Sequence, residues 1–518
     1  MTSLSFLLVA LTLSSSDVSA KNVLMLVADD VGRELKVYGN TAIKMPNLDK
    51  LAERSAAFTS AFTAVSSCSP SRSAILTGLP PHQNGMFGLH HLFHHFSSFD
   101  QVLSLPGILS NHGVRTGIIG KKHVGPESVY PFEFDHSETN DNLLQASRNI
   151  TYIRELSREF LRSNDSRPFF LYIGFMDAHR CDGKLGTFCE KFGNGDPGMG
   201  SIPDWTPTIY GPSEVEVPYF VQDTPAARGD LAKQYLSLSR LDQGIGLVLQ
   251  ELELAGHGED TLVMYTSDNG IPFPGAKTNL YDSGATEPLL VSSPDHPDSW
   301  GTTNPVLTSL LDLTPTVLDW LNASYPKYHI FDQEPVKLTG KSLLGYLNRP
   351  ITRESRSENS IYSGFERRLQ ELERAAATYG SHESHEITMY YPMRSIRTSE
   401  YKLILNLNYL MPYPVASDIY SSPTFQDILN RTESGDSLPW YKTLREYYYR
   451  GKWELYDLLK DPEELHNVAE SAEYQPVMTL LRERLKDWQK GTSDPWQCSP
   501  ERVWNTQTGK CDPLYNGI

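Results

Sequence analysis

The residues with the strongest chemical signature in this chain surround a single cysteine. Cys68 opens the sequence Cys-Ser-Pro-Ser-Arg, which ends at Arg72 and is followed by Leu-Thr-Gly at 76–78. A turn fixed by Pro70 would account for the proline, but not for the arginine and the Leu-Thr-Gly sequence at this spacing. The chain has five cysteines, and an odd cysteine in a secreted protein is either a free thiol or a residue used in chemistry. Both interpretations of Cys68 therefore stay open at the level of cysteine count alone.

A second set of residues offers oxygen ligands. Asp29 and Asp30 follow one apolar run of the chain, and Asp268 and Asn269 follow another. Carboxylate and amide oxygens, with no Cys or His beside them, favour Ca²⁺ or Mg²⁺ over zinc. An acid pair after a strand more often caps a helix or lies in a solvated turn. The second polar pair at another strand end, together with the Cys68 sequence, favours the interpretation as a metal site.

These residues need a fold that brings them together, and the sequence indicates the α/β class. Four apolar runs are typical of buried parallel strands, and polar residues follow each of them. The runs are 23–28 before Asp29, 115–120 before Lys121 and His123, 168–175 before Asp177 and His179, and 261–266 before Asp268. Because ligands of open α/β sheets bind outside the carboxyl ends of strands, we expect these side chains to share one site. A helix is predicted directly after Pro46.

The first twenty residues and four glycosylation sequences indicate the secretory pathway. A short apolar run at 6–13 precedes Val-Ser-Ala at 18–20, which predicts a signal peptide over 1–20 rather than a transmembrane helix. Short segments separate the other cysteines, and this predicts two local disulfides that leave Cys68 unpaired: Cys181 with Cys189, and Cys498 with Cys511. Four Asn-X-Ser/Thr sequences are candidate glycosylation sites: Asn149, Asn164, Asn322 and Asn430.

Composition excludes some partners and leaves others open. With 518 residues, 39% of them hydrophobic, the chain can form more than one core. The formal charge of −17 argues against nucleic acid and against an anionic membrane surface, but a locally basic pocket could still bind an anion. A charged stretch at 353–374 is predicted to be an exposed, partly helical excursion, and short β-like runs follow at 401–407 and 453–457.

The Cys68 sequence resembles the signature of the sulfatases. Further stretches that resemble this family lie at 117–126, 188–195, 202–207, 266–274, 391–394 and 453–469. The resemblance extends over almost the whole mature chain. It implies an alkaline-phosphatase-like α/β fold, with a large mixed sheet flanked by helices and a smaller C-terminal α+β subdomain that contains an antiparallel sheet. We therefore expect a signal peptide at 1–20, a catalytic domain at 21–380 and a C-terminal domain at 381–518.

The same resemblance implies how the site works. In sulfatases the signature cysteine is oxidised to formylglycine by a separate formylglycine-generating enzyme, and the hydrated aldehyde is the nucleophile. Cys68 would then begin a helix, with Arg72 on the same face. The implied ligands of one divalent cation, expected to be Ca²⁺, are Asp29, Asp30, Cys68, Asp268 and Asn269. The implied catalytic residues are Cys68, Arg72, Lys121, His123 as a base, His179 as a general acid, and Lys277. The remaining histidines at the N-terminal side are predicted to be structural or on the surface: His82, His90, His91, His94, His95 and His112.

Within the family, the chain is most similar to the sulfamidases. This implies hydrolysis of the N-sulfate group of non-reducing-end N-sulfoglucosamine in heparan sulfate, in the lysosome, by a homodimer without a membrane anchor. His385 and Glu386 resemble a substrate-binding segment. Lys277 stands where an arginine is expected, which keeps the charge but not the bidentate geometry. Two alternatives remain open: an O-sulfatase or phosphate-ester hydrolase of the same superfamily, and a glycan-binding protein with an inactive sulfatase fold.

Overall fold

The structure, a computed structural model, describes residues 21–181, 185–195, 200–331, 334–348, 365–498, 502–505, 508 and 510–513. The predicted signal peptide and most of the predicted charged excursion lie outside the described residues.

The described part of the chain alternates strands and helices in its first half and separates them in its second. The strands are β1 Asn22–Ala28, β2 Ala56–Phe58, β3 Ala61–Phe62, β4 Arg115–Gly120, β5 Phe134–Ser137, β6 Phe169–Gly174, β7 Thr261–Ser267, β8 Thr286–Glu287, β9 Leu289–Ser292, β10 Thr302–Asn304, β11 Thr308–Ser309, β12 Thr378–His382, β13 Met393–Arg397, β14 Tyr401–Asn406, β15 Trp453–Asp457, β16 Arg502–Asn505 and β17 Lys510–Pro513. The helices are α1 Pro46–Glu53, α2 Cys68–Thr77, α3 Pro81–Asn84, α4 Leu105–Asn111, α5 Leu143–Arg148, α6 Ile150–Leu161, α7 Pro225–Leu254, α8 Asp282–Ala285, α9 Leu313–Trp320, α10 Leu344–Leu347, α11 Phe365–Arg374, α12 Ser417–Tyr420, α13 Pro423–Ser434, α14 Leu444–Tyr448 and α15 Gln475–Gly491.

A mixed sheet of eight strands forms the centre of the molecule, in the order β10-β2-β9-β7-β1-β6-β4-β5. β1 runs parallel to both of its neighbours, β6 and β7, while β9 is antiparallel to β7 and β2. The four apolar runs of the sequence are β1, β4, β6 and β7, so those strand predictions are confirmed, as is the helix after Pro46. They lie side by side at the middle of the sheet, where burial on both faces requires continuous apolar sequence.

Alternate residues of β1 enter different cores, because successive side chains of a strand point to opposite faces. Leu24 and Leu26 pack in the core that also contains Leu238 of α7. Val23 and Met25 pack in the core formed with α2, α4 and α9. The centre of the molecule is therefore three layers, with the sheet between two sets of helices, as the α/β prediction requires.

A second sheet, antiparallel and in the order β12-β13-β14-β15, forms the smaller part of the molecule. Leu403 and Leu455 pack on one of its faces against α15, and Ile404 and Tyr456 pack on the other against α13. The predicted fold class, with its C-terminal antiparallel sheet, is confirmed. The sheet begins at Thr378, so the expected domain boundary at 380/381 falls inside its first strand.

Two disulfides join the cysteine pairs that the spacing predicted, Cys181 to Cys189 and Cys498 to Cys511, while Cys68 is a buried free thiol. In the described residues, no helix combines the length and apolar character that crossing a membrane would need.

Candidate active site

The register of the central strands brings the predicted site residues to one edge of the sheet. Ala28, the last residue of β1, is paired with Ser267 of β7, and Gly174 of β6 is paired with Gly120 of β4. The residues that follow these strands stay in register, since the Asp268 amide donates to the Ala28 carbonyl at 3.2 Å. The acids after β1 and β7, the cation after β4 and the histidine loop after β6 therefore converge.

Two glycines allow β4 and β6 to approach closely where they deliver these residues. A Cβ on Gly174 would lie 2.1 Å from the carbonyl oxygen of Lys121, and one on Gly120, whose φ is +88°, would lie 2.1 Å from the carbonyl oxygen of Gly174. A side chain at either position would push the strands apart. The short distance between the backbones fixes where the lysine enters the site.

Cys68 begins α2, as the resemblance implied, and its thiol donates to Asp29 Oδ1 at 3.6 Å. Burial raises the pKa of the Cys68 thiol well above its usual value, so the unmodified thiol is a poor nucleophile. The thiol lies at the N-terminal end of α2, where the helix dipole favours an anion.

Arg72 lies one turn further along α2 and is fully buried. Its Nε donates to Asp268 Oδ2 at 2.8 Å, and its Nη1 donates to the Lys121 carbonyl at 3.1 Å and to the Tyr172 hydroxyl at 3.2 Å. These bonds occupy most of the guanidinium. Arg72 therefore joins the helix, two strand ends and one acid into a rigid unit.

The four predicted oxygen ligands are fully buried and in contact with one another. Asp29, Asp268 and Cys68 bring ligand atoms within 4.8 Å of each other. Asn269 Nδ2 donates to Asp30 Oδ1 at 2.6 Å, and within the described residues its own Oδ1 has no hydrogen-bond partner. A buried carbonyl oxygen without a partner is costly unless a cation or water satisfies it.

Electrostatics also favour a cation at this position. Burial raises the pKa of Asp30 to about 7, with a further contribution from Asp29, and burial raises that of Asp268 to about 6. These carboxylates are too close together to ionise fully on their own. A divalent ion with oxygen ligands would remove that penalty, so this donor set fits Ca²⁺ or Mg²⁺.

Three cations are paired with the three acids. Lys121 Nζ contacts Asp29, Lys277 Nζ lies 2.8 Å from Asp30 Oδ2, and Arg72 binds Asp268. The side chain of Lys277 is fully buried, so the lysine that replaces the expected arginine keeps its charge in the site. Positive charge thus surrounds the Cys68 thiol on several sides, as binding of an anionic group requires.

His179 lies on the loop after β6, and its orientation is fixed by its backbone neighbours. Its Nδ1 lies 2.6 Å from the Arg180 carbonyl oxygen, which can only accept, so Nδ1 carries a proton. The other nitrogen, Nε2, lies 4.0 Å from Asp30 Oδ2. Arg148 and Arg240 bind the carboxylate of Asp177, two residues earlier, and this anchors the loop.

His123 lies at the rim of the site, opposite a histidine that the sequence did not assign to it. His123 Nε2 and His91 Nδ1 lie 2.9 Å apart. Burial, with Lys121, lowers the pKa of His123 well below its usual value, so the ring is neutral and can act as a base. We expected His91 to be structural or on the surface, and it is instead in direct contact with a predicted catalytic residue. Nothing in its sequence neighbourhood, where histidines are frequent, distinguishes it.

The two residues of the predicted substrate-binding segment have different surroundings. His385 Nδ1 bonds to Ser67 Oγ at 2.8 Å, next to the signature cysteine. Glu386 Oε1 accepts from the backbone amide of Ser417 at 2.7 Å, at the start of α12. That helix carries Asp418, whose Oδ2 lies 3.3 Å from Lys277 Nζ and which the sequence analysis missed. Asp418 follows no strand and belongs to no motif we identified, so only the folded chain reveals it.

Of the candidate glycosylation positions, Asn164, Asn322 and Asn430 are exposed. Asn149 is half-buried at the start of α6, where its side chain accepts from the Tyr152 amide and donates to Gln145 at 2.5 Å. The three exposed sites are open to modification, whereas a glycan at Asn149 would replace a helix-capping contact.

Comparison with known proteins agrees with this geometry. The family described as "Sulfatase" matches residues 21–323, which contain every predicted metal ligand and catalytic residue. The family described as "N-sulphoglucosamine sulphohydrolase, C-terminal" matches residues 426–491. The human protein "N-sulphoglucosamine sulphohydrolase" is 54% identical over 503 residues, covering 96% of each chain. Human arylsulfatase A is 28% identical and covers 65% of this chain and 71% of its own.

Solved structures share the fold at low sequence identity. One, described as in complex with its substrate D-glucosamine-2-N,6-O-disulfate, has a TM-score of 0.61 and 19% identity and covers 92% of this chain and 99% of its own. A phosphonate monoester hydrolase of Agrobacterium radiobacter has a TM-score of 0.57 and 19% identity, with 91% of this chain and 96% of its own covered. The fold is thus shared beyond sulfate chemistry, but the match to the family over residues 21–323 and the 54% identity over almost the full length show that this chain is a member of the sulfatase family.

Proposed function

We propose that this enzyme hydrolyses the N-sulfate group of N-sulfoglucosamine at the non-reducing end of heparan sulfate and releases sulfate. The observation that carries the proposal is the convergence of Cys68, three carboxylates and three cations at one sheet edge, all of them buried. The choice of substrate is supported by the 54% identical human relative and by the match of its C-terminal family.

The residues of the site divide the reaction between them. Cys68, after oxidation to formylglycine, supplies the attacking oxygen as the hydrated aldehyde. The oxygens of Asp29, Asp30, Asp268 and Asn269 would hold Ca²⁺, which would neutralise charge on the sulfate. Lys121 and Lys277 donate to sulfate oxygens, while Arg72 acts mainly by holding Asp268 and the end of β4 in place.

Two histidines would move protons. The Nδ1–H of His179 donates to the carbonyl oxygen of Arg180. This bond turns the other ring nitrogen, Nε2, toward the site, where it would protonate the leaving nitrogen. Burial, with Lys277, lowers the pKa of His179 well below its usual value, and an anionic substrate beside it favours the protonated form. His123, neutral at the rim, would accept a proton from the remaining hydroxyl when sulfate is released.

The cellular setting follows from the chain itself. The predicted signal peptide, the exposed glycosylation sequences and the two disulfides support passage through the secretory pathway, and we infer delivery to the lysosome. Formylglycine-generating enzyme is the partner needed during maturation. We also infer a homodimer, as the family resemblance implies.

The test is sulfate release, at acidic pH, from heparan oligosaccharides that end in N-sulfated glucosamine, with matched O-sulfated ends in parallel. We expect selective release from the N-sulfated ends. A Cys68→Ser variant should give no multiple turnover, because a serine can be sulfated but cannot expel sulfate through an aldehyde. The melting temperature of this variant, measured beside that of the wild type, serves as the control for folding. Preferential release from the O-sulfated ends would mean that the enzyme is an O-sulfatase. Repeated turnover by the Cys68→Ser variant would refute the formylglycine proposal.

A further inference from the structure

Asp418 enters the site from outside the part of the chain that matches the sulfatase family. That match ends at residue 323, whereas Asp418 lies on α12. Its Oδ1 accepts from the Ile419 amide at 2.7 Å, which fixes the side chain, and its Oδ2 lies 3.3 Å from Lys277 Nζ. The residues common to sulfatases therefore surround the sulfate position, and a carboxylate from the other half of the chain is added to them.

Its position is on the outer side of the site. The side chains of Asp29, Asp30 and Lys277 are 0% exposed, whereas that of Asp418 is 13% exposed and that of His179 is 17% exposed. Ligand atoms of Asp418, His179 and Asp30 lie within 4.8 Å of one another, in a cluster separate from the one that contains Cys68. The group that leaves sulfur must depart toward the exposed side, so Asp418 lies beside the leaving group.

A carboxylate in this place distinguishes two kinds of leaving group. When the S–N bond of a sulfamate breaks, its electron pair stays on nitrogen, which already carries one hydrogen. Water is the other reactant, and the first products are hydrogen sulfate and an amine. The amine then takes up the proton of the hydrogen sulfate, which leaves sulfate and an ammonium. When an S–O bond breaks, the oxygen leaves as a neutral hydroxyl. Only the first reaction offers an N–H donor throughout and a cation at the end, and a charge-assisted hydrogen bond to a carboxylate is the stronger kind.

We propose that Asp418 binds the nitrogen of the departing amino sugar and thereby selects N-sulfate over O-sulfate. This inference rests on the proposed function, since it names the residue that recognises the amine of that substrate. Glu386 supports it from behind, because its carboxylate caps the backbone amide of Ser417 and holds α12 against the site. Lys277 links the two halves, with one ammonium shared between Asp30 and Asp418.

The test compares binding of the two products by the Ca²⁺-loaded enzyme at acidic pH. Calorimetry would measure the affinities for glucosamine, for glucose and for inorganic sulfate. We expect the wild type to bind glucosamine more tightly than glucose, and Asp418→Asn to weaken glucosamine binding by about 10- to 100-fold, the effect of losing one charged hydrogen bond. Sulfate affinity should change by a much smaller factor. Asp418→Glu should recover part of the preference, and Asp427→Asn, the same change on α13 in a pair with Arg431, should leave it intact.

The outcomes separate this inference from the function on which it rests. Equal weakening of glucosamine and sulfate would mean that Asp418 only positions Lys277, and it would overturn the inference. A wild type that binds glucose as tightly as glucosamine would do the same. If the wild type turns over N-sulfoglucosamine but Asp418→Asn keeps its preference for the amine, only this inference fails. If the wild type releases no sulfate from N-sulfoglucosamine, the proposed function fails and the inference fails with it.

Discussion

Each charged residue around Cys68 has an opposite charge as its partner, and this explains how so many charges can be buried. Breaking one pair would leave an uncompensated buried charge, which costs about 3–5 kcal/mol. Burial opposes ionisation of Asp29, but Lys121, His179, Arg72 and Lys277 together outweigh that effect and hold the pKa of Asp29 below its usual range. The cations are therefore needed for folding as well as for binding sulfate, and variants at these positions must be judged by more than lost activity.

Asn269 offers a more selective test of the metal site, because it carries no charge. Its unpartnered Oδ1 predicts that Ca²⁺ raises the melting temperature of the wild type above that in EDTA, and that Asn269→Ala shrinks this difference. Each tenfold loss of affinity lowers the stabilisation at saturating metal by about 1.4 kcal/mol. Differential scanning calorimetry measures both proteins, each with its own EDTA sample as control. An unchanged difference would mean that Asn269 is not a ligand.

At this scale the sequence predicted residues that follow strands or belong to a recognised motif, and it missed residues that do neither. Asp29, Lys121 and Asp268 could be found because each lies just after an apolar run, and these runs are β1, β4 and β7. His91 and Asp418 come from a loop and from a one-turn helix, and only tertiary packing brings them to the site. Periodicity carries no information about such contacts.

At the scale of elements, the length of apolar sequence decides what could be predicted. The six- and seven-residue strands β1, β4, β6 and β7 were visible as buried runs. β3 and β8 have two residues each and form a separate small sheet, in the order β11-β3-β8, and two residues show no period. β12 was not predicted either, and the expected domain boundary at 380/381 falls inside it.

The contact between β4 and β6 predicts a large effect from one methyl group. Gly174→Ala places a Cβ 2.1 Å from the Lys121 carbonyl oxygen, so the strands must separate and Lys121 must move. We expect a loss of about 1–3 kcal/mol in the free energy of unfolding, together with a lower kcat for sulfate release. Urea unfolding and steady-state kinetics would measure the two effects.

Gly229→Ala on α7 is the matched control, because no atom beyond its own stretch of helix lies within 4 Å of the position that the added methyl group would take. An alanine there should stabilise the helix by about 0.5–1 kcal/mol. Equal behaviour of the two variants would contradict the view that this close approach positions the lysine.

At the scale of the whole molecule, the two sheets meet around the site, and the smaller sheet and its helices complete it. The expected C-terminal domain contributes Asp418, His385 and Glu386, while Tyr281 of the expected catalytic domain packs in a core of the C-terminal part. The two parts therefore share cores and cannot be separated without exposing apolar surface. The sequence predicted two domains, with His385 and Glu386 of the second in the site, and the structure adds Asp418 from that same part of the chain.

Buried acids distributed through the molecule make its stability depend on pH. Burial raises the pKa of Glu34, Glu383 and Glu464 to about 7. Burial acts in the opposite direction on His82, whose pKa it lowers to about 3. The stability that neutral His82 contributes is therefore lost as pH falls below the pKa of histidine in the unfolded chain. One acid can be isolated from these opposing effects by comparing a single variant with the wild type.

Glu34 is suited to this comparison because it lies in the core between Asn40 and Tyr235, both of which donate to its Oε2. Its pKa is raised on folding, so its contribution is fully present below the unfolded value of 4.5 and is lost as pH rises through about 7. The loss amounts to about 3 kcal/mol. Glu34→Gln removes the titration while keeping the shape. We expect the melting temperature of the wild type to fall more than that of the variant as the pH is raised from 5 to 8. Parallel pH profiles would show that Glu34 is ionised in the folded protein at acidic pH.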